Sequence, residues 1–135
     1  MAVFASADQL KTILGDFFTT LSQDPAIRSA LLKANMVIRF VYREPDATIT
    51  IVATQDPIHI LCDDTTHKPE VEMSMKADIA HQFWLGNVNL PIALTRRQII
   101  AKGSIPKILR LLPVIKPAYA LYPKFLEDKG IHLQG

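Results

Sequence analysis

Four histidines and one cysteine are the side chains best suited here to proton transfer, nucleophilic attack or metal binding, and their spacing serves none of these. His59, His67, His81 and His132 form no His-x-x-x-His pair, the spacing that puts two imidazoles on one helix face. His67 lies near Asp63 and Asp64, and carboxylates in a polar loop can hold a hard cation. The plainer reading of that loop is a solvated turn. His81 falls three residues before Trp84 on a short helical stretch, where a satisfied histidine outweighs a catalytic one. Cys62 keeps phase with Ile58 and Ile60, as a small buried apolar residue would. A Gly-x-Ser-x-Gly elbow, a phosphate loop and a dinucleotide fingerprint are all missing. These residues point to no enzyme, no metal and no cofactor.

The chemistry that remains is apolar. Residues 104–126 read SIPKILRLLPVIKPAYALYPKFL. A helix packing on a core needs one apolar stripe of roughly 100°. Two adjacent stripes occur here. One is Ile105, Ile108, Leu109, Leu112, Ile115, Tyr119, Tyr122 and Leu126; the other is Leu111, Val114, Ala118, Leu121 and Phe125. A small protein with so much apolar surface buries it against something it does not itself supply. The candidates are a lipid ligand, an anionic membrane surface, a partner enzyme or a second copy in a homodimer.

The same segment is purely basic. No acidic residue occurs between Asp78 and Glu127, so residues 79–126 sum to +7 while residues 1–78 sum to −4. Such a block becomes a surface patch if it lies on one face. Anionic lipid fits it better than nucleic acid, because the aromatics sit on apolar helical faces rather than among arginines on strands.

Length and composition set the frame. A chain of 135 residues makes one domain, and 49% hydrophobic content excludes disorder over a long stretch. The single cysteine excludes a disulfide framework. The first residues lack a basic region followed by a long apolar run, and no 18 consecutive residues are apolar, so neither a secretory signal nor a membrane span is expected. The expected setting is cytoplasmic.

The elements that must position these residues follow from period and caps. Ser6 and Gln9 form a capping box ahead of Leu10, Ile13, Leu14, Phe17, Phe18 and Leu21, spaced for one helical face. Asp24 and Pro25 open a second helix with Ile27, Ala30, Leu31 and Ala34 inward. Residues 36–43 switch to strict alternation, with Met36, Ile38, Phe40 and Tyr42 on one side. Strands over 48–54, 58–62 and 70–75 follow, the first three joined by short turns and so antiparallel. A short helix from Ala77-Asp78 stops at Gly86, Asn89 opens one more turn, and 98–102 is a last strand. Gly103 and Ser104 lead into the terminal helix, which Pro113, Pro117 and Pro123 should break or kink.

In these residues the chain resembles the sterol carrier protein type two family, lipid-binding modules. The resemblance runs through the strand EVEMSMKAD, the helix HQFWLGNVNLPIAL, the strand QIIAKG and the closing helix SIPKILRLLP. Gly86-Asn87-Val88-Asn89-Leu90-Pro91 stands where the family has a Gly-Lys-Leu-Asn-Pro motif, and Ile99-Ile100-Ala101-Lys102-Gly103 where it has one of the Lys-Ile-Lys-Gly type. The chain lacks the peroxisomal terminus of the eukaryotic carriers, and its segment after Leu112 carries three extra prolines and two tyrosines.

The resemblance implies an α+β fold: a five-stranded, mainly antiparallel sheet covered by helices, with an apolar tunnel between them. One domain spans 1–135, with 113–135 as an apolar, basic, proline-broken tail. Residues expected to face the tunnel are Phe17, Phe18, Phe40, Ile51, Met73, Phe83, Trp84, Ile105, Leu109, Leu112 and Ile115. Phe83 and Trp84 read equally as plain core. Lys107, Arg110, Lys116, Tyr119, Tyr122, Lys124 and Phe125 are expected to contact a membrane or partner. The function implied is non-catalytic binding and transfer of a long-chain apolar lipid of sterol, fatty acyl or isoprenoid type, with little head-group discrimination. The alternative is an accessory subunit presenting a hydrophobic substrate, such as a quinone precursor, to a lipid-modifying enzyme.

Overall fold

The computed structural model describes residues 3–133. The elements run α1 (Ala7–Gln23), α2 (Pro25–Ala34), β1 (Val37–Arg43), β2 (Ala47–Val52), β3 (His59–Cys62), β4 (Val71–Lys76), α3 (Ala77–Trp84), α4 (Leu90–Thr95), β5 (Ile99–Gly103), α5 (Ile105–Ile115) and α6 (Ala118–Asp128). The five strands form one sheet in the order β3-β2-β1-β4-β5. Three pairings are antiparallel and the central one, β1 with β4, is parallel. The fold is α+β, with the mainly antiparallel sheet expected from the sequence.

Caps set the helix starts. Ser6 Oγ accepts from the Gln9 N–H at 3.0 Å, and Asp24 Oδ1 accepts from the Ala26 and Ile27 N–H groups at 3.2 Å each. These bonds satisfy amides that a helix start leaves without partners. Alternation sets the sheet. Ile38 pairs with Ile51 and Ile51 with Ile60, while Phe40 pairs with Met73 and Tyr42 with Met75. These side chains form the inner face, under the helices.

The outer face is polar at its centre. Arg39 Nε donates to Thr50 Oγ1 at 3.1 Å, and Arg39 Nη2 donates to the His67 carbonyl at 2.6 Å and to Asp64 at 3.4 Å. Asp64 also accepts from Thr66 Oγ1 at 2.7 Å and from the His67 N–H at 3.0 Å. These hydrogen bonds, Thr66 foremost, hold the Asp64 carboxyl well below the usual carboxylate range. The Asp63–His67 turn is therefore a clamp that lays the β3–β4 connection over the sheet.

Two expectations change. Pro113 and Pro123 lie inside α5 and α6, and the terminal helix breaks only at Lys116-Pro117. Both interior prolines face solvent, where carbonyls freed by the missing N–H can bond to water. Cys62 is exposed. It keeps the inward phase, but it ends an edge strand, where a Cβ on Gly15 of α1 would lie 3.6 Å from its sulfur.

Two glycines are required by the backbone. Gly86 (φ 86) ends α3, and a Cβ on it would lie 3.4 Å from the Cβ of Tyr119 in α6. Gly103 (φ 100) closes β5, and a Cβ there would lie 1.8 Å from the Glu70 carbonyl oxygen. Gly103→Ala is expected to lower the melting temperature sharply, beyond the ~1 kcal/mol that a left-handed non-glycine residue costs. Gly130→Ala, at φ 67 with open space around it, carries only the backbone cost. Thermal unfolding of the two variants checks this; equal shifts would mean that the β4–β5 edge yields.

Candidate functional site

The space between sheet and helices divides into a filled part and an unfilled one. Phe17 holds the filled part. Its ring lies 5.5 Å from Trp84, 4.8 Å from Tyr122 and 5.4 Å from Phe125, joining α1, α3 and α6. Aromatic pairs at such separations add to the area they bury. Beside this cluster His81, 2% exposed, shares a 2.8 Å hydrogen bond between Nδ1 and the Tyr122 hydroxyl. Burial lowers the His81 pKa and raises that of Tyr122, so both groups are neutral inside the fold. Phe4 stands edge-on to His81 at 6.0 Å, and the Val3 N–H donates to Asp78 at 2.9 Å. The chain ahead of α1 is thus strapped over α3.

The unfilled part is an apolar cavity of about 70 Å³. Its floor is the inner sheet face: Ile38, Phe40 and Tyr42 of β1, Ile51 of β2, Ile60 of β3, Met73 and Met75 of β4, and Ile99 of β5. Phe18 and Leu21 of α1 and Ile27 and Leu31 of α2 form one wall. Ala80, Phe83 and Trp84 of α3 and Leu90 of α4 form another. Ile108, Leu111, Leu112 and Ile115 of α5 form the roof. What stands at the place of the expected tunnel is this cavity. An engineered cavity of ~150 Å³ with similar lining stays dry and takes a benzene. The present one is smaller, so an occupant with a long chain requires part of its wall to move.

The roof is the least anchored part of that wall. α5 has no buried residue, and its N-cap, Ser104, makes no side-chain capping bond. Its main packing is against α2. α6, by contrast, buries Ala118, Tyr122, Phe125 and Leu126. Half-buried contacts without a cap are the ones that open at low cost. Met73 and Met75 on the floor give the opposite wall side chains that repack easily.

Of the residues expected to face the tunnel, Phe18, Phe40, Ile51, Met73, Phe83, Trp84, Leu112 and Ile115 line the cavity. Phe17, Ile105 and Leu109 do not. Phe17 is fully buried behind Trp84, and Leu109 is 38% exposed on the outer side of α5. Ile105 is half-buried in the first turn of α5, off the lining. The roof face, Ile108-Leu111-Leu112-Ile115, runs between the two stripes drawn from the sequence, because one helix can turn only about half its circumference inward.

Of the expected membrane or partner contacts, Arg110, Lys116 and Lys124 are exposed. Lys107 is partly exposed and bonded to Glu70 at 3.1 Å. Tyr119 is half-buried, edge-on to Phe83 at 5.8 Å. Tyr122 and Phe125 are corrections: at 0% and 8% exposure they are core residues. α6 folds back on α1 and α3, and Phe17 and His81 claim these two rings. Phe4 and Tyr42 are sites that the sequence reading passed over. Phe4 precedes the first cap and belongs to no periodic run. Tyr42 was visible as an inward strand residue, but nothing in the pattern said what its hydroxyl would meet.

The His81–Tyr122 pair yields a test. Tyr122→Phe should destabilise the protein by about 1–3 kcal/mol, since it leaves a buried imidazole nitrogen without its partner. The native protein should also lose stability as pH falls below 6.5, the ordinary histidine value, because His81 is depressed in the folded state and the unfolded chain takes the proton first. Above that value the His81 contribution is constant. Melting curves across this pH range check both; a melting temperature that rises on mild acidification would remove His81 as the controlling group.

No protein-family model and no curated protein matches the sequence. Solved structures do match the fold. The sterol carrier protein domain 2 of Helicoverpa armigera superposes with a TM-score of 0.65 at 15% identity, over 84% of this chain and 87% of that one. The sterol carrier protein 2 from Yarrowia lipolytica, in apo form, gives 0.56 at 14% identity over 89% of each chain. A structure described as UbiJ-SCP2 ubiquinone synthesis protein gives 0.59 at 13% identity, over 83% of this chain and 89% of that one. The chain therefore has a sterol carrier protein 2-like fold.

Proposed function

We propose that this chain is a non-catalytic lipid-binding protein that holds a long-chain apolar molecule between sheet and helices and transfers or presents it. One observation carries the reading: an apolar cavity roofed by a helix that has no buried residue of its own. The physical need is plain. Each methylene is worth about 0.8 kcal/mol in transfer from water, so a chain of about fifteen resists leaving a membrane by on the order of 10 kcal/mol. A protein that opens an apolar space lowers that barrier without chemistry.

The ligand is bound by displacing α5. Ile108, Leu111, Leu112 and Ile115 separate from the floor, the ligand takes their place against Phe40 and Met73, and the roof closes on it. The outer side of α5 then meets the membrane that delivers the ligand. It carries the exposed Leu109 together with Arg110 and Lys116, a small apolar contact flanked by positive charge.

A second reading shares the cavity. One solved structure of this fold is described as a ubiquinone synthesis protein, which favours an accessory role in which a bound hydrophobic substrate is shown to an enzyme. Vesicle-to-vesicle transfer separates the two. A carrier speeds the exchange of a fluorescent lipid between vesicles, and a presenter binds the lipid without speeding it.

Titration with an environment-sensitive fluorescent lipid should saturate at micromolar protein and shift or quench the emission of Trp84, the single tryptophan, which lines the cavity. Absence of saturable binding would remove the lipid reading. Binding with unchanged Trp84 emission would place the ligand elsewhere.

Sedimentation with anionic vesicles should fall in Arg110→Glu and Lys116→Glu variants, each reversal removing about 1 kcal/mol or more, and should weaken as salt rises. Neutral vesicles should show neither effect. Equal sedimentation with neutral and anionic vesicles would exclude α5 as the docking face. Charge reversal is the suitable probe, because a chain cut at Leu112 would also lose the core residues Tyr122 and Phe125.

A further inference from the structure

One residue of this lining carries a buried polar atom without a partner. Tyr42 ends the inward row Ile38–Phe40–Tyr42 and lines the cavity. The residue is 2% exposed, and its ring stacks parallel to Phe40 with centroids 6.1 Å apart. Its hydroxyl is buried and has no hydrogen-bond partner, a condition that no other buried side-chain nitrogen or oxygen shares among the described residues. The contrast with Tyr122 is direct. That phenol is as deeply buried and is satisfied by His81 at 2.8 Å. The same core supplies a partner to one phenol and none to the other.

An unsatisfied buried hydroxyl destabilises the fold, and phenylalanine would fill the same space without that cost. Buried polar groups without partners are rare in folded proteins, and each calls for a physical account. We propose that the Tyr42 hydroxyl is the polar anchor of the cavity, holding one uncharged oxygen of an otherwise apolar ligand: an alcohol, a ketone or an ester carbonyl. The inference rests on the reading that the cavity takes a lipid, and it names the class of lipid.

Three observations set that class. First, the rest of the lining is aliphatic, aromatic or thioether, with the indole N–H of Trp84 as its one other side-chain donor, so the Tyr42 hydroxyl is the only group there able both to donate and to accept, and the ligand needs few polar atoms. Second, the phenol is neutral, since burial raises its pKa well above the ordinary value and nearby Tyr122 and Cys62 add to the shift. A neutral phenol donates to a carbonyl, or donates and accepts with a hydroxyl. Third, no basic side chain belongs to the lining. Lys107 is turned to Glu70, Arg39 is held on the outer sheet face, and Arg110 and Lys116 are exposed. An ionised carboxylate would be buried here without a counter-charge, at high cost.

The geometry also orients the ligand. Ile38 and Tyr42 are four strand residues apart, about 13 Å at the rise of a β-strand. An oxygen held at Tyr42 leaves the apolar body along the floor toward Ile38, beneath the α5 roof. The weak head-group discrimination expected from composition gives way to a preference for one uncharged oxygen.

Competition of dodecanol and of dodecane against a bound fluorescent lipid, in the native protein and in Tyr42→Phe, tests this. Tyr42→Phe should weaken dodecanol about 2- to 10-fold, the effect of one net hydrogen bond, and leave dodecane unchanged. The ligand-free variant should melt at the same or a higher temperature, because the oxygen removed had no partner. A fall in the melting temperature would mean that the hydroxyl is already satisfied without ligand, and would overturn the anchor. Equal effects on both competitors, or none on either, would overturn it as well. In those cases dodecane binding still stands and so does the lipid reading. Failure of both compounds to bind the native protein would overturn the lipid reading itself and the anchor with it.

Discussion

Phe17 sits where three helices meet the sheet, and the shape of the interior depends on it. Its contacts with Trp84, Tyr122 and Phe125 fasten α3 and α6 onto α1, and Phe18, one residue on, carries the cluster toward Phe40 at 5.3 Å. Aromatic rings are large and rigid, so they prop the helices at a set height above the strands. On the side of α6 that height is filled by Tyr122, Phe125 and Leu126. On the side of α2 it is filled by nothing as large, and α5 closes the space with side chains that are only half-buried. The cavity follows from props that are tall on one side and a roof that is thin on the other.

This division separates a firmly packed frame from a lightly held roof. The parallel β1–β4 pair, the aromatic cluster and the Arg39–Asp64 clamp lie apart from α5 and hold the frame without it. Arg39 and Asp64 are 14% and 11% exposed, shielded enough for their hydrogen bonds to hold the long β3–β4 connection to the sheet. A roof helix can go without a buried residue of its own only because the frame does not rely on it. On the outer side of α5, Leu109 is left 38% exposed.

Polarity inside the frame is allotted unevenly. His81 and Tyr122 satisfy each other within the aromatic cluster, away from the cavity lining, and help to position α3 against α6. Tyr42 stands on the cavity side with no such partner. Two phenols of the same chemistry thus end in different environments, decided by whether an imidazole lies within reach.

The order of elements, the inner sheet face and the faces of α1 and α2 were legible in the sequence. They rest on local physics: Ser6 and Asp24 cap, Gly86 and Gly103 permit positive φ, and the period changes from helical spacing to alternation at Met36. Such signals act over a few residues and survive without knowledge of the rest of the chain. The segment after Gly103 was not legible in the same way. Its two apolar stripes could be read as lid, membrane contact or core, because composition reports that a surface is apolar and not what covers it. Only the folded chain decides that Tyr122 and Phe125 are claimed by Phe17, that Leu109 is left outside, and that Cys62 lies at an unprotected sheet edge. It also decides that the hydroxyl of Tyr42 faces no partner. These outcomes depend on which distant residues compete for the same space, and that competition is settled by packing in three dimensions.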